Sequence, residues 1–179
     1  NENEIRLLAE TGTVVAHCPS SNFKLGSGIA QIPELLAAGV RVTIGSDGAP
    51  CNNRMDIFAE MRLAALMQKP RLGAQALPAR LALDFATING GEALATGGGK
   101  IAEGFSADII AIDPDKAHSW GGGPPDGALV YGCNPHNVRH VWVDGDQLVR
   151  DSSLLAWDWE ETLEGCRAAL ARVSKRAKL

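Results

Sequence analysis

The fold class is indicated first by one short segment, Val40-Arg41-Val42-Thr43-Ile44-Gly45-Ser46-Asp47-Gly48. Its first five residues are mostly β-branched, which is typical of a strand, and Gly-Ser-Asp-Gly then ends that strand in a turn. Upstream, Thr13–His17 is a similar run, and Ile32–Ala38 between the two predicts a helix. Strands without a clean polar alternation, connected through a helix, are typical of a parallel sheet covered by helices. We therefore predict an α/β fold.

The glycine run Gly97-Gly98-Gly99 separates two kinds of sequence pattern. Helical periodicity dominates before it, whereas short β runs and a hairpin turn at Asp144-Gly145 follow it. The other predicted elements are a loop at Cys18–Gly28, helices at Met55–Gln68, Pro78–Phe85 and Gly90–Ala95, strands at Ala107–Asp113, Val138–Val143 and Gln147–Arg150, a Gly/Pro loop at Gly121–Asp126, and a helix at Glu160–Ser174. We predict three parts: residues 1–97, residues 98–160, and a C-terminal helix and tail at 161–179.

Composition excludes several classes of protein. The 179 residues carry a formal net charge of −4, which argues against a nucleic-acid-binding surface. No apolar run approaches the roughly 20 residues that span a bilayer, and no signal peptide is recognisable, so we expect no membrane partner. The four cysteines are scattered without a CxxC pair, which favours reduced thiols in a cytoplasmic protein. The chain opens without an initiator Met, so we expect it to be part of a larger protein.

Three side chains could carry chemistry, each with a simpler alternative. Asp47 follows a predicted buried strand, where a carboxylate can ligate a metal ion and accept a proton, although an Asp before Gly is also a common turn residue. His17 ends the other strand and is a possible metal ligand or a hydrogen-bonded core residue. Cys51 lacks the His and Asn/Asp pattern that would support a nucleophile. The residue types alone leave these alternatives open, and the remaining histidines, His118, His136 and His140, share no helical face.

Longer motifs narrow these alternatives. The stretch Val15-Ala16-His17-Cys18-Pro19-Ser20-Ser21-Asn22-Phe23-Lys24-Leu25-Gly26-Ser27-Gly28 resembles the last-but-one barrel strand and loop of the amidohydrolase superfamily. The match is to aminohydrolases that act on N-heteroaromatic rings, such as S-adenosylhomocysteine/methylthioadenosine deaminases, guanine deaminases and triazine hydrolases. Gly45–Asp56, with Glu60-Met61-Arg62 behind it, resembles the eighth strand and its loop. Structural motifs of the same family follow at Ala86–Leu94, Lys100–Ile110 and Val141–Gly145.

The resemblance implies a fold and a set of site residues. The fold would be a partial TIM (β/α)8 barrel, comprising its last two strands and helices, plus the C-terminal part of an accessory β-sandwich. Asp47 would be the last metal ligand and the proton shuttle. His17 would lie beside the metal with a role in the pocket, and Cys51 would occupy a loop position that contacts substrate in relatives. Weaker substrate-binding candidates are Ser21, Asn22 and Asn52.

The activity that the resemblance implies is metal-dependent hydrolytic deamination of a small N-heterocycle of the purine, pyrimidine or triazine type, with release of ammonia. The metal would be Zn²⁺, with Fe²⁺ as the alternative. The family's four histidine ligands match nothing in residues 1–179, so we expect a partial chain. Two alternatives stay open: an amidohydrolase that opens a cyclic amide, and a non-catalytic fragment. Unfinished barrel edges predict self-association into a homo-oligomer.

Overall fold

A computed structural model describes residues 1–119, 121 and 123–178 of the chain. Its helices are α1 (Glu2–Glu10), α2 (Pro19–Lys24), α3 (Ile32–Ala37), α4 (Ala49–Asn52), α5 (Ile57–Met67), α6 (Lys69–Leu72), α7 (Ala79–Ala86), α8 (Ile88–Leu94), α9 (Pro125–Gly127) and α10 (Trp159–Ala177). Its strands are β1 (Val14–His17), β2 (Arg41–Ile44), β3 (Ile109–Ile112), β4 (Val138–Val143), β5 (Asp146–Arg150) and β6 (Ser153–Leu154). No helix in this described part is long and apolar enough to cross a membrane.

Strands β1 and β2 form a parallel pair, which confirms the α/β prediction for this part of the chain. The register runs from Val14 opposite Arg41 to His17 opposite Ile44. The Gly45 amide extends the pairing by donating to the His17 carbonyl oxygen at 2.9 Å. Since parallel strands have their carboxyl ends at one edge, the loops that follow β1 and β2 leave the sheet side by side.

A hydrophobic core covers this strand pair. It is built from the apolar sides of α3, α5 and α7 and from β2, and Val42 at its centre is fully buried. The buried residues are Ile32, Leu35, Val40, Val42, Met61, Ala64, Ala65, Leu77, Ala79, Ala82, Phe85 and Val130. Helices on the strand pair are the layer arrangement that a βαβ unit requires.

A second sheet follows with the antiparallel order β3-β4-β5-β6. Val143 pairs with Asp146, so a two-residue turn, Asp144-Gly145, connects β4 to β5. Both turn residues have positive φ, 50° for Asp144 and 86° for Gly145, as the commonest hairpin turn requires. The predicted hairpin is therefore confirmed.

Several local predictions differ from the structure. The predicted loop at Cys18–Gly28 contains the short helix α2, because Pro19 at its first position has the φ of a helix and needs no amide donor there. Strand β6, the π turn at Ala128–Gly132 and the 3₁₀ turn at Pro135–Asn137 were not predicted. The predicted Gly/Pro loop at Gly121–Asp126 includes Gly122, and the predicted tail includes Leu179, which both lie outside the described residues.

The π turn at Ala128–Gly132 connects the two parts of the chain. Its Val130 is fully buried and belongs to the core formed with α5 and α7. The Arg62 guanidinium, on α5, donates to the Tyr131 carbonyl oxygen at 3.1 Å. The β-rich part thus contributes a side chain to the α/β core, and the boundary near residue 97 stays a prediction.

Helix α8 is tied to the sheet by Asn89, whose side-chain amide donates to the carbonyl oxygen of buried Val42 at 2.8 Å. We expect Asn89→Ala to lower the free energy of unfolding by about 1 to 2 kcal/mol, because the variant leaves a buried carbonyl without its partner. Urea unfolding at neutral pH measures this loss. The exposed Asn3→Ala is the control and should change stability by less than about 0.5 kcal/mol. Equal effects of the two substitutions would contradict the role of Asn89.

Candidate active site

The loops after β1 and β2 form one polar cluster at the carboxyl edge of the strand pair. Lys24, on α2, donates to the carbonyl oxygen of Pro50 at 2.6 Å and to the side chain of Asn53. Hence α2 is held against α4, the short helix of the loop after β2. Carboxyl ends of parallel strands are where catalytic groups gather in βα folds.

Asp47 is the exposed carboxylate of this cluster. Its Oδ2 accepts from the Ser21 hydroxyl at 2.5 Å, and its Oδ1 accepts from the Gly48 amide at 2.6 Å. The Ser21 hydroxyl first, then the Gly48 amide, and also the Cys51 thiol, hold the pKa of Asp47 below its usual value. The carboxylate is therefore ionised at neutral pH, and each oxygen keeps an acceptor position for another partner.

Backbone geometry at Asp47 is unusual. The residue has a φ of 62°, in the left-handed region, where the backbone of any residue other than glycine is strained. Asp and Asn tolerate this conformation best because their short polar side chains bond locally, as the bond from Gly48 to Oδ1 does here. Such strained residues persist where surrounding contacts hold them, and they are frequent at functional sites.

Glu60 is the buried carboxylate beneath the cluster, and only 1% of its surface is exposed. Its Oε2 accepts from the Ser20 amide at 3.0 Å, and its Oε1 accepts from the Asn52 side chain at 2.9 Å. No role for Glu60 was predicted from the sequence. The sequence nevertheless indicates that Glu60 is buried, because it lies on the apolar side of its predicted helix, three residues after Ile57 and four before Ala64.

His17 is almost fully buried at the end of β1, with 2% of its surface exposed. Within the described residues its Nε2 has no hydrogen-bond partner. Burial lowers the pKa of His17 from 6.5 to about 4, against the opposing effect of the negative charge of Glu60. The ring is therefore neutral at pH 7, which is the form that can accept a hydrogen bond or ligate a metal.

The structure brings the other predicted site residues into the same two loops. Ser21 is buried and donates to Asp47, while the Asn52 amide donates to the Ser46 carbonyl oxygen at 2.7 Å as well as to Glu60. Cys51 and Asn22 are half-buried, on α4 and α2. Ser21 and Asn52 thus have their donors bonded within the protein. The histidines outside the cluster lie in the β-rich part, where His118 forms a hydrogen bond with Asn137 and His140 makes a tilted ring contact with Trp142.

Within residues 1–119, 121 and 123–178, no group of three or more His, Cys, Asp and Glu side chains is arranged to hold a metal ion. Asp47 fits as one ligand, because it is exposed, ionised and has unused acceptor positions. His17 Nε2 is an unpartnered buried nitrogen of the ligand type that zinc uses. Asp47 and His17 therefore have the chemistry of metal ligands, although the described residues do not form a complete metal site.

Comparison with known proteins identifies the family. The sequence pattern of the amidohydrolase family matches residues 1–148, so the chain belongs to this family. Family membership implies a fold of TIM-barrel type, and the described residues form a partial α/β fragment.

Particular relatives are named as deaminases. The chain is 40% identical over 175 residues to a 5-methylthioadenosine/S-adenosylhomocysteine deaminase of Halobacterium salinarum, covering 97% of this chain and 41% of the relative. It is 39% identical over 178 residues to a 5'-deoxyadenosine deaminase of Methanosarcina acetivorans, covering 99% of this chain and 41% of that protein. The chain thus spans well under half the length of these relatives.

A solved structure agrees with the sequence relatives. The crystal structure of an adenosine deaminase from Xanthomonas campestris with bound zinc superposes with a TM-score of 0.93 at 34% identity. The match covers 98% of this chain and 40% of that protein. The likeness therefore extends over both the α/β part and the β-rich part of the chain.

Proposed function

We propose that this chain forms part of a zinc-dependent aminohydrolase that removes the amino group from the purine ring of an adenosine-type nucleoside. The observation that carries this proposal is the ionised Asp47 carboxylate at the carboxyl edge of two parallel strands, anchored on both oxygens with acceptor capacity left. The deaminase names of the relatives, and the zinc in the Xanthomonas campestris protein, support the substrate class and the metal.

The proposed architecture places β1 and β2 as the last two strands of a (β/α)8 barrel. Residues 1–97 would be the C-terminal part of the barrel, residues 98–160 part of an accessory β-sandwich, and residues 161–179 a terminal helix and tail. The antiparallel sheet β3-β4-β5-β6 supports the sandwich assignment. The remaining metal ligands would come from segments outside this chain, since the relatives are more than twice as long.

In the proposed reaction a bound zinc ion supplies Lewis-acid polarisation of water. Asp47 accepts one proton of the attacking water and then donates it to the departing amino group, which leaves as ammonia; the second proton of the water ends on the adjacent ring nitrogen, so the ring keeps an oxo group. A low pKa suits the first step, because the carboxylate is free of its own proton. The hydrogen bonds from Ser21 and Gly48 fix the orientation of the Asp47 carboxylate. The oxygen that accepts the proton is therefore held in one position.

Substrate contacts are proposed for the side chains that keep partial exposure. Cys51 and Asn22 are half-buried in the loops beside Asp47, and we assign them to the pocket lining. His17 would form the floor of the pocket with its unpartnered nitrogen. Ser21 and Asn52, predicted as substrate contacts, are instead assigned to support Asp47, because their donors are already bonded within the protein.

The test is release of ammonia by the full-length protein loaded with zinc. We expect turnover of 5'-methylthioadenosine, S-adenosylhomocysteine, 5'-deoxyadenosine or adenosine. Ammonia production and the change in purine absorbance measure this turnover. A protein that leaves every purine untouched but opens a cyclic amide would contradict the proposal in favour of the alternative amidohydrolase. The 179-residue chain alone should hold no stoichiometric zinc, since a single carboxylate is a weak site.

A further inference from the structure

Glu60 is a buried carboxylate that neither the family comparison nor the proposed proton transfer assigns. Only 1% of it is exposed, although burial of a charge is costly without compensating bonds. Both of its oxygens have a donor, and both donors are neutral: a backbone amide and a side-chain amide. An alanine or a leucine would serve equally well if this position were only packed in the core. A buried carboxylate with both oxygens bonded therefore indicates a function beyond packing.

The first contact leads from Glu60 to one oxygen of Asp47. Glu60 Oε2 accepts from the Ser20 amide at 3.0 Å, in the first turn of α2. The next residue, Ser21, donates its hydroxyl to Asp47 Oδ2 at 2.5 Å. Fixing the Ser20 amide therefore fixes the donor that directs Oδ2.

The second contact leads to the backbone that carries Asp47. Glu60 Oε1 accepts from the Asn52 side-chain nitrogen at 2.9 Å. The same nitrogen donates to the Ser46 carbonyl oxygen at 2.7 Å, in the peptide that precedes Asp47. That peptide enters a residue with a φ of 62°, so the contact helps to hold Asp47 in its strained conformation.

We propose that Glu60 is a positioning residue, whose two oxygens hold the loop after β1 and the loop after β2 in register so that the Asp47 carboxylate is preset for a metal ion and a proton. This inference rests on the proposed function of Asp47. It assigns Glu60 no contact with substrate. Partners that orient metal ligands in this way typically change metal affinity or activity by 10- to 100-fold when they are removed.

The chemistry of the two contacts requires a carboxylate. Both neighbours are donors, so the residue between them must accept at both ends. Glutamine has the same shape but carries one acceptor oxygen and one donor NH₂ group. Glu60→Gln therefore preserves volume and breaks one of the two contacts, because its NH₂ group faces another donor.

The experiment compares Glu60→Gln with wild type in the full-length protein. We expect Zn²⁺ affinity, measured by competition with a chromophoric chelator, to fall by about 10- to 100-fold. At saturating Zn²⁺, kcat for an adenosine derivative should fall while KM changes less than about threefold, because Glu60 acts through Asp47. Unchanged Zn²⁺ affinity together with unchanged kcat would overturn the inference.

The matched control is Asp56→Asn, which removes a buried carboxylate from the start of the same helix α5. Asparagine also caps helices well, so this variant keeps the fold and should retain Zn²⁺ affinity and kcat within about threefold. Equal losses in the two variants would show that any buried charge on α5 has this effect, which overturns the inference.

Ser21→Ala completes the test. If Glu60 acts partly through the Ser20-Ser21 turn, Glu60→Gln and Ser21→Ala are coupled, and the double variant loses less Zn²⁺ affinity than the product of the two single losses. Independent losses would overturn this route. Asp47→Asn separates the two proposals: full activity of that variant refutes the proposed function, whereas its inactivity beside a normal Glu60→Gln refutes only the inference.

Discussion

Asp47→Asn is expected to lower kcat of the full-length protein by about 10³-fold or more, because the variant loses the negative charge proposed to bind the metal ion and the base proposed to accept the proton. General acid–base catalysis alone accounts for about 10²- to 10⁴-fold. The fold should survive the change, since Asn adopts the left-handed conformation of this position as readily as Asp. Steady-state ammonia release measures kcat, and thermal unfolding monitors the fold.

A matched control for this substitution exists in the same chain. Asp144 also precedes a glycine and also has a positive φ, of 50°, but it lies in the β4–β5 hairpin turn. Asp144→Asn makes the same chemical change on the same type of backbone and should keep kcat within about twofold. Near-normal kcat of Asp47→Asn would refute the assignment of Asp47, and a loss in both variants would point to the fold instead of the site.

Acidification is expected to remove about 3 kcal/mol of stability through His17 alone. Its pKa is about 4 in the folded chain and 6.5 when unfolded, and each unit corresponds to about 1.4 kcal/mol. The unfolded chain therefore binds the proton first as pH falls. The contribution is fully present above pH 6.5, is lost progressively between pH 6.5 and 4, and then stays constant. Urea unfolding of the chain at several pH values measures the slope.

The control for this effect is His17→Gln, which cannot gain a proton. Carboxylates with lowered pKa values, including Asp113 and Asp151, titrate in both proteins and cancel in the difference. We expect the difference in stability between wild type and variant to shrink by about 3 kcal/mol from pH 7.5 to pH 4. A difference that is independent of pH would show that folding leaves the pKa of His17 unchanged, which would contradict the prediction.

The elements that could be predicted are those with a strong local pattern. The runs predicted as strands at Thr13–His17 and Val40–Ile44 and the Asp-Gly turn at Asp144-Gly145 carry their conformation in their own residues. The structure confirms them as β1, β2 and the β4–β5 turn. Helix α2 was missed because its Ser and Asn residues favour turns in isolation, whereas packing against α4 and α5 holds them helical. The π turn at Ala128–Gly132 has no sequence signature.

The site was predictable only as far as its exposed carboxylate. Asp47 lies just after a predicted strand, so its position at the edge of the sheet could be inferred. The resemblance to the family motif at Gly45–Asp56 indicated that the surrounding loop belongs to the site. The bond from Ser21 to Asp47 spans 26 positions and the bond from Ser20 to Glu60 spans 40. Contacts of such sequence separation depend on how the helices pack, which local patterns do not specify.

Burial of Val130 has a consequence for dividing the chain. The π turn at Ala128–Gly132 packs against α5 and α7, and the hydrogen bond from Arg62 to the Tyr131 carbonyl oxygen stabilises this contact. Truncation after residue 97 would remove Val130 and leave part of the α/β core unfilled. The shortened chain would therefore unfold or aggregate more readily. Engineered splitting or domain exchange at the glycine run should therefore keep residues 128–132 together with the α/β elements.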